Sequence, residues 1–439
     1  MNYPLWEIPG IGGAWLIGLI SIFHIFISHF AVGGGIFFAI TEQVAFKRQD
    51  KDLYEFLKKH AQFFLLLTTV AGAVSGVGIW FAISLVSPSG TASLIQTFTL
   101  GWACEYVFFV AELATIFVYY YTWDRISQKT HLNIARAYAF TSVMTLVIIN
   151  GILTYMLTPG HWVKSHYWLE GFFNQTYWPS LIIRLVMMCA LAGLYALLTT
   201  SLIKKNETFR TWMLRYSSRW FIPMLVLGPL LAFWFFTQLP DTVIHTIFSG
   251  IQSSGVGNFS ILSRALYLSL FVSGTILVFV FVGPYLNPKG FTFKMALMFT
   301  LCGVLVTGMG EWSRELLRKP YVIYGYMYSN GLRTNQIVEI NKDGYAAHAK
   351  WLPAGTSGAA LGQAMFRDQC MSCHTTNGYR SMIKLIGDRD EQSIELFLNA
   401  MHETDPKKNP YHGIMPPLVG KTDEIKSLAV YLDGLKTSK

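Results

Sequence analysis

The chain has 439 residues, 52% hydrophobic and 15% aromatic, with only 13% charged. Long uncharged runs fill its first three quarters, which excludes a water-soluble globular protein and predicts a polytopic membrane protein. The formal charge of +9 does not point to nucleic acid, because the basic residues fall in alternate loops and form no single patch.

A run of about 20 apolar residues crosses a bilayer, and eight such runs occur, at 12–42, 62–87, 96–121, 134–157, 179–203, 218–238, 262–284 and 291–314. The segment before span 1, MNYPLWEIPG, lacks a basic stretch, so span 1 is expected to act as its own targeting signal with no cleaved leader. The loop after span 1 carries Lys47, Arg48, Lys51, Lys58 and Lys59. The loop after span 3 carries Arg125, Lys129 and Arg136, and the loop after span 5 carries Lys204, Lys205, Arg210 and Arg215. These belong inside. The loop after span 2, SPSGTASLIQTF, has no basic residue, and those after spans 4 and 6 have only Lys164 and, at the edge of span 7, Arg264. Eight spans then place both termini on the periplasmic side of a bacterial inner membrane.

Charged side chains within spans are costly and mark functional positions. Span 1 holds His24 and His29, span 3 Glu105 and Glu112, span 5 Arg184 and span 7 Arg264; span 8 ends with Glu311 and Arg314. Glu105 and Glu112 are two helical turns apart and share a face at a spacing of about 10 Å. They suit a proton relay, a cofactor ligand beside its proton donor, or ion pairs to Arg184, Arg264 or Arg314 that hold helices together. His24 and His29 point about 140° apart and do not readily grip one ion. Glu311 and Arg314, three apart, can pair on one helix face. All these groups except His29 are expected in the outer half or near the midplane.

From about 338 the hydrophobic runs stop, which divides the chain into a membrane domain over 1–337 and a second domain over 338–439. The second domain contains FRDQCMSCHTTNG, where Cys370 and Cys373 are the only close pair among five cysteines and His374 follows directly. Two thiols at this spacing form thioethers to a haem edge and aim the next imidazole at the iron, and no second cysteine pair completes a zinc site. One covalent haem c is therefore expected, with His374 as an axial ligand. Met415, in the Pro-flanked YHGIMPPLVG, is the expected sixth ligand, with His402 and His412 as rivals. The last segment, TDEIKSLAVYLDGL, reads as a helix capped by Thr422 with Ile425, Leu428, Ala429 and Leu432 on its core face. These features resemble class I cytochrome c over about 354–436. The expected fold class is all-α, a polytopic membrane helix bundle of about eight spans plus a small all-α class I cytochrome c domain. Haem c is attached on the outer face of bacterial membranes, which agrees with the loop charges.

The membrane part resembles subunit I of the cytochrome bd quinol oxidases. FHIFISHFAVGGGIFFAI in span 1, Glu105 and Glu112 ahead of YYYTWDRI, Asn150-Gly151 in span 4 and EWSRELLRKPYVIYG after span 8 occur in the family's order. The resemblance covers about 1–330, without the family's ninth span. It implies that His24 and Glu311 are axial ligands of one or two non-covalent haems, of type b or d, where oxygen is reduced. It further implies that Glu105 and Glu112, one residue closer together than in the family, feed protons, and that Arg314 lies near haem propionates. The family's Gly-Arg-Gln-Pro-Trp motif is altered here to Ser313-Arg314 and Arg318-Lys319-Pro320-Tyr321. Its low-spin haem takes a histidine in span 5 and a methionine in span 7, where this chain has Arg184 and Leu266. Its quinol-oxidising loop after span 6 shrinks to LPDTVIHTIFSGIQSSGVGNF. That haem and that quinol site are expected to be missing, with haem c as the replacement inlet for electrons.

The leading expectation is an oxidoreductase in which a periplasmic cytochrome c or redox enzyme exchanges electrons with haem c and the membrane haems reduce oxygen. A second membrane subunit of the bd-oxidase subunit II type, or another membrane redox subunit, is the implied partner. The alternative is a non-oxidase subunit linking the quinone pool to a periplasmic enzyme, with His29, His60, His161 or His245 supplying second ligands to haem b. A third reading, a membrane part that merely anchors the cytochrome, conflicts with the cost of keeping His24, Glu112 and Glu311 in spans. Wild-type protein is expected to keep haem stain on a denaturing gel, and the Cys370→Ala, Cys373→Ala double variant to lose all of it; stain retained by the double variant would exclude covalent attachment there.

Overall fold

The computed structural model describes residues 5–252 and 258–438. Among the described residues, eight helices are long and apolar enough to cross a membrane: Gly12–Arg48, Lys51–Val86, Thr99–Tyr121, Gln128–Tyr155, Tyr177–Thr200, Glu207–Thr237, Leu262–Leu286 and Phe293–Arg318. These are spans 1 to 8, and the all-helical bundle expected from the sequence is what the chain forms. Among the described residues the named strands are a short antiparallel hairpin, Tyr321–Ile323 with Met327–Tyr328, just after span 8.

Several boundaries differ from the apolar runs. The basic segment after span 1 is helical and not a loop, because only Gln49 and Asp50 separate the two helices. Gln49 ends span 1 in a left-handed conformation, and the Asp50 carboxylate accepts from the Leu53 amide at 3.0 Å to start span 2. Span 6 likewise starts early, at Glu207, where Asn206 caps it. The segment after span 6 is helical over Asp241–Gln252; residues 253–257 of that segment, and 1–4 of the N-terminal one, lie outside the described residues. Span 2 contains a π-helical stretch, Leu66–Gly72, where the Thr68 and Thr69 hydroxyls bond back to the Phe64 and Leu65 carbonyls at 2.9 and 2.6 Å. Such widened turns shift a helix's register by one residue.

Span 1 is the axis of the bundle, and its glycine run makes that role possible. A Cβ on Gly33 would lie 2.0 Å from the Met188 carbonyl of span 5, one on Gly34 2.3 Å from the Phe64 ring of span 2, and one on Gly35 2.8 Å from the Tyr138 ring of span 4. Three successive glycines thus admit three neighbouring helices, the small-residue contact that replaces hydrophobic driving force within lipid. Phe30, Phe37, Phe38, Phe64 and Tyr138 fill the core around them. Outward-facing side chains such as Val74, Val77, Val107, Leu230 and Phe271 are exposed and apolar, as a lipid or subunit contact requires.

A separate hydrophobic core begins at Tyr328 and runs to Leu435. Its main helices are Gly358–Met365, Glu391–His402 and Thr422–Gly434. The last of these buries Ile425, Leu428, Ala429 and Leu432. Its cap is not the expected Thr422. The Glu424 carboxylate accepts from the amides of Lys421, Tyr345 and Ala346 at 2.7, 2.7 and 2.8 Å, three bonds where a threonine hydroxyl supplies one. The first and last of the three helices pack backbone to backbone, since a Cβ on Gly362 would lie 2.0 Å from the Ser427 carbonyl. Gly362→Val is expected to destabilise this core by at least about 1–3 kcal/mol, read as a lower melting temperature of the full-length protein; an unchanged melt would mean the contact is looser than described.

Candidate functional site

The cysteine pair sits at the end of a short π-helical segment, Phe366–Cys370, that continues the helix Gly358–Met365. The Cys373 and His374 amides both donate to the Cys370 carbonyl, at 3.1 and 3.0 Å, so the two thiols and the imidazole leave one tight turn. Both thiols are free. Burial, with Cys373 beside it, pushes the Cys370 thiol up to about 12, so as a free group it is an inert, desolvated thiol. Burial also holds the His374 imidazole below its usual range; the Arg380 carbonyl bond opposes that shift and the Arg380 and Lys319 charges add to it. His374 Nδ1 lies 3.1 Å from the Arg380 carbonyl. A carbonyl only accepts, so Nδ1 carries the hydrogen and Nε2 keeps its lone pair. These residues fit a haem c, two thioether sulfurs and a neutral imidazole with its tautomer fixed by the backbone.

Met415 is half-buried in the loop between Glu391–His402 and the last helix, where its amide donates to the Tyr411 carbonyl at 3.1 Å. His402 Nδ1 donates to the Leu418 carbonyl at 3.0 Å, which ties that loop to the preceding helix, whereas His412 is exposed.

In the membrane core, His24 Nδ1 lies 3.1 Å from Ser75 Oγ. The Ser75 hydroxyl proton is already engaged by the Ala71 and Gly72 carbonyls at 2.6 and 3.0 Å, so Ser75 accepts from His24 and Nε2 again keeps its lone pair. A Cβ on Gly76 would come within 3.1 Å of the His24 ring, so glycine leaves room for the imidazole beside the widened turn of span 2.

His29 was expected apart from the outer charged groups, yet it joins them. Spans 1 and 5 run parallel in register, Gly33 against Met188, and one turn earlier the Arg184 guanidinium reaches His29 Nε2 at 3.2 Å. The guanidinium only donates, so His29 Nδ1 carries a hydrogen, and that atom is buried without a partner. Arg184 also bonds Ser180 Oγ at 3.3 Å and lies 3.8 Å from Glu311. Glu311 Oε2 accepts from Arg314 Nε at 2.8 Å, while its Oε1 has only the long Arg184 contact. A second buried orphan is Arg314 NH1. An engaged Arg184 cannot ligate iron, and Leu266 packs in a small apolar cluster with Leu239, Val243 and Leu316. By contrast, a free Glu311 oxygen, the His24 Nε2 and two orphaned donors fit a haem carboxylate and iron within the bundle.

Glu112 does not pair with an arginine among the described contacts. The Tyr138 hydroxyl faces its Oε1 at 3.4 Å and the Ala31 carbonyl at 3.1 Å, and half-buried Glu105 lies on the same side of span 3. Arg264 is exposed.

Sequence reasoning missed one polar cluster. Near the Arg48 end of span 1, Glu42 accepts from the Tyr119 hydroxyl at 2.8 Å and meets His131 Nδ1 at 2.7 Å, while His131 Nε2 donates to the Tyr119 carbonyl at 2.9 Å. All three residues are at most 1% exposed, so a proton shared between Glu42 and His131 is sealed from solvent. The one sequence signal was an acid, Glu42, five residues before Lys47 at the basic end of span 1, which reads equally well as an interfacial charge.

Arg184→Leu is expected to destabilise the protein by about 1–3 kcal/mol, because it removes the bond to His29 Nε2 and the longer of the two Glu311 ion pairs while Arg314 still holds Glu311. Glu311→Leu, which leaves both guanidinium groups without that carboxylate, is expected to cost about 3–5 kcal/mol in a thermal melt in detergent; a loss no larger than that of Arg184→Leu would mean that the carboxylate does not hold the cluster.

Residues 14–234, half of the chain, match the family described as Cytochrome bd terminal oxidase subunit I. The fold is similar to that of a chain in the structure of bd oxidase from Geobacillus thermodenitrificans, with a TM-score of 0.61 at 17% identity over 73% of this chain and 90% of that one. No curated protein matches.

Proposed function

Since the chain belongs to the cytochrome bd terminal oxidase subunit I family, whose members bind haems b and d and pair with a second membrane subunit, we propose that it is the oxygen-reducing subunit of a variant oxidase. In this variant electrons arrive through a covalent haem c. The chain is a multi-pass inner-membrane respiratory haemoprotein, and the finer reading concerns how its two cores divide the work. Residues 1–337 form the membrane haem domain and 338–439 a periplasmic class I cytochrome c domain, with both termini outside. Basic segments at the inner ends of spans 1, 3 and 5 support that orientation.

The observation that carries this reading is the pair of prepared histidines. His24 in the bundle and His374 in the second core each have Nδ1 fixed as a donor, at 3.1 Å in both cases, and Nε2 left with its lone pair. Cys370 and Cys373 would hold haem c through thioether bonds, with His374 and Met415 as the ligands to its iron. His24 and Glu311 would hold the membrane haem or haems, of type b or d, and Arg314 would offer NH1 to a haem carboxylate. When bound, haem c carries single electrons and the membrane haem is where oxygen takes four of them, with four protons, to give two waters.

The chain's own contribution is charge and proton control. Arg184 and Arg314 keep Glu311 an anion inside the bundle. Glu105 and Glu112 bring protons, with the Tyr138 hydroxyl as the group between Glu112 and span 1. The Arg184 substitution removes the family's low-spin ligand and the short segment after span 6 removes its quinol loop, so the donor is a periplasmic cytochrome c or redox enzyme and not quinol. A membrane subunit of the subunit II type covers part of the exposed apolar surface.

Purified, haem-loaded complex supplied with a reduced cytochrome c is expected to take up oxygen, and His24→Ala to lose membrane haem while keeping haem c. No uptake from a fully loaded complex would defeat the oxidase reading and favour a subunit that passes electrons between quinone and a periplasmic enzyme.

A further inference from the structure

The second core is docked on the membrane core at the turn that bears the cysteines. The Tyr379 amide, five residues past His374, donates to the Gly10 carbonyl at 2.6 Å. A Cβ on Gly378 would lie 2.0 Å from that same carbonyl, so the two backbones touch where glycine alone fits. Gly12, at φ +75°, sits under the Thr375 side chain, which a Cβ would meet at 3.1 Å. The contact therefore needs glycine on both sides.

Aromatic rings continue inward from this dock. The Trp15 ring meets Tyr379 edge-on with centroids 5.6 Å apart, and meets Trp312 of span 8 at 5.4 Å. Trp312 is the residue next to Glu311. Lower on the same helix end, Lys319 Nζ lies 3.9 Å from Cys373 Sγ and 3.2 Å from Glu315 Oε1. Trp312, Glu315 and Lys319 follow the spacing of one helical stripe, and that stripe faces Trp15 and the cysteine turn. Glu311 and Arg314 lie on the adjoining stripe, which reaches inward to Arg184. One helix end thus touches the carrier turn with one face and the charged membrane site with the next.

We infer that Tyr379, Trp15 and Trp312 are positioning residues of a fixed intrachain electron path between haem c and the membrane haem site at Glu311, with the Gly10 and Gly378 backbones as its dock. The inference rests on the reading that haem c feeds that site. In the step, one electron leaves the ferrous haem c iron, which becomes ferric, and reduces the membrane haem iron from ferric to ferrous. No bond is made or broken and no proton moves at the three rings. They stay in their closed-shell state and act by filling the gap with packed atoms, because tunnelling falls off steeply across empty space. A carrier on a loose tether would need neither the glycine pair nor a continuous ring contact.

The test uses the full-length, haem-loaded complex. Hydrogen exchange is expected to show the Tyr379 amide protected in the wild type and unprotected in Gly378→Val. After rapid reduction of haem c by a small-molecule donor, reduction of the membrane haem is expected to be several-fold slower in Trp15→Leu, Trp312→Leu and Gly378→Val. Haem c content and midpoint potential should not change, and Trp15→Phe should keep most of the rate. Unchanged transfer in Trp15→Leu and Gly378→Val, or an unprotected Tyr379 amide in the wild type, would overturn the inference. Should Trp15→Leu not assemble, a Trp15→Phe rate equal to wild type with an unprotected dock would do the same. Haem c that reduces normally while no membrane haem ever follows, in the wild type itself, would instead overturn the underlying reading.

Discussion

Glu311 lies between two guanidinium groups, 2.8 Å from Arg314 and 3.8 Å from Arg184, and the packing of spans 1, 5 and 8 is organised around that anion. A single charge within a bilayer costs several kcal/mol or more, so each of the three needs the others, and with His29 they bind spans 1, 5 and 8 together. The glycine run of span 1 makes this approach possible, since a Cβ at Gly33 would push span 5 away and carry Arg184 out of reach of His29. Loss of Glu311 would take the carboxylate from both arginines. The cluster is also unfinished as protein alone. Two of its donors, His29 Nδ1 and Arg314 NH1, are buried with nothing to bond, and orphaned donors beside a half-free carboxylate are what a haem with anionic propionates would complete.

Arg184, engaged by His29 and Glu311, has no lone pair to offer an iron. The cysteine turn lies against the adjoining face of the end of span 8, where Lys319 Nζ approaches Cys373 Sγ, so the charged cluster and that turn meet at one helix end. Glu315, Arg318 and Lys319 extend the charged helix end towards the cysteine turn, where Arg318 and Lys319 both pair with Glu315. The cysteine turn and the charged cluster are thereby part of one packed structure.

Much of this was legible in the sequence for identifiable reasons. The spans announce themselves because lipid tolerates only long apolar helices, and the Glu311 and Arg314 pair follows from helical spacing alone. The cysteine and histidine spacing is a local chemical pattern, so it needs no tertiary information. What escaped depends on how distant segments register. Arg184 meets His29 only because spans 1 and 5 run parallel with Gly33 against Met188. Glu42 meets His131 only because span 1 packs against span 4, and neither carries a periodic signal of its own. The Gly10 and Gly378 contact joins residues at opposite ends of the chain, and each glycine read in isolation is only a turn. Helix ends were misjudged where basic residues continue a helix past the lipid, as at Lys51–Val86, because hydropathy marks the membrane and not the helix.

Oxygen reduction in the membrane core requires an iron there with an open position, which a haem c ligated by both His374 and Met415 lacks. The direct measurement is a reduced-minus-oxidised optical spectrum of the purified complex with and without carbon monoxide. The account predicts a haem c band that carbon monoxide leaves unchanged, together with a membrane haem signal that shifts when the gas is added. A spectrum in which every haem is indifferent to carbon monoxide would contradict it.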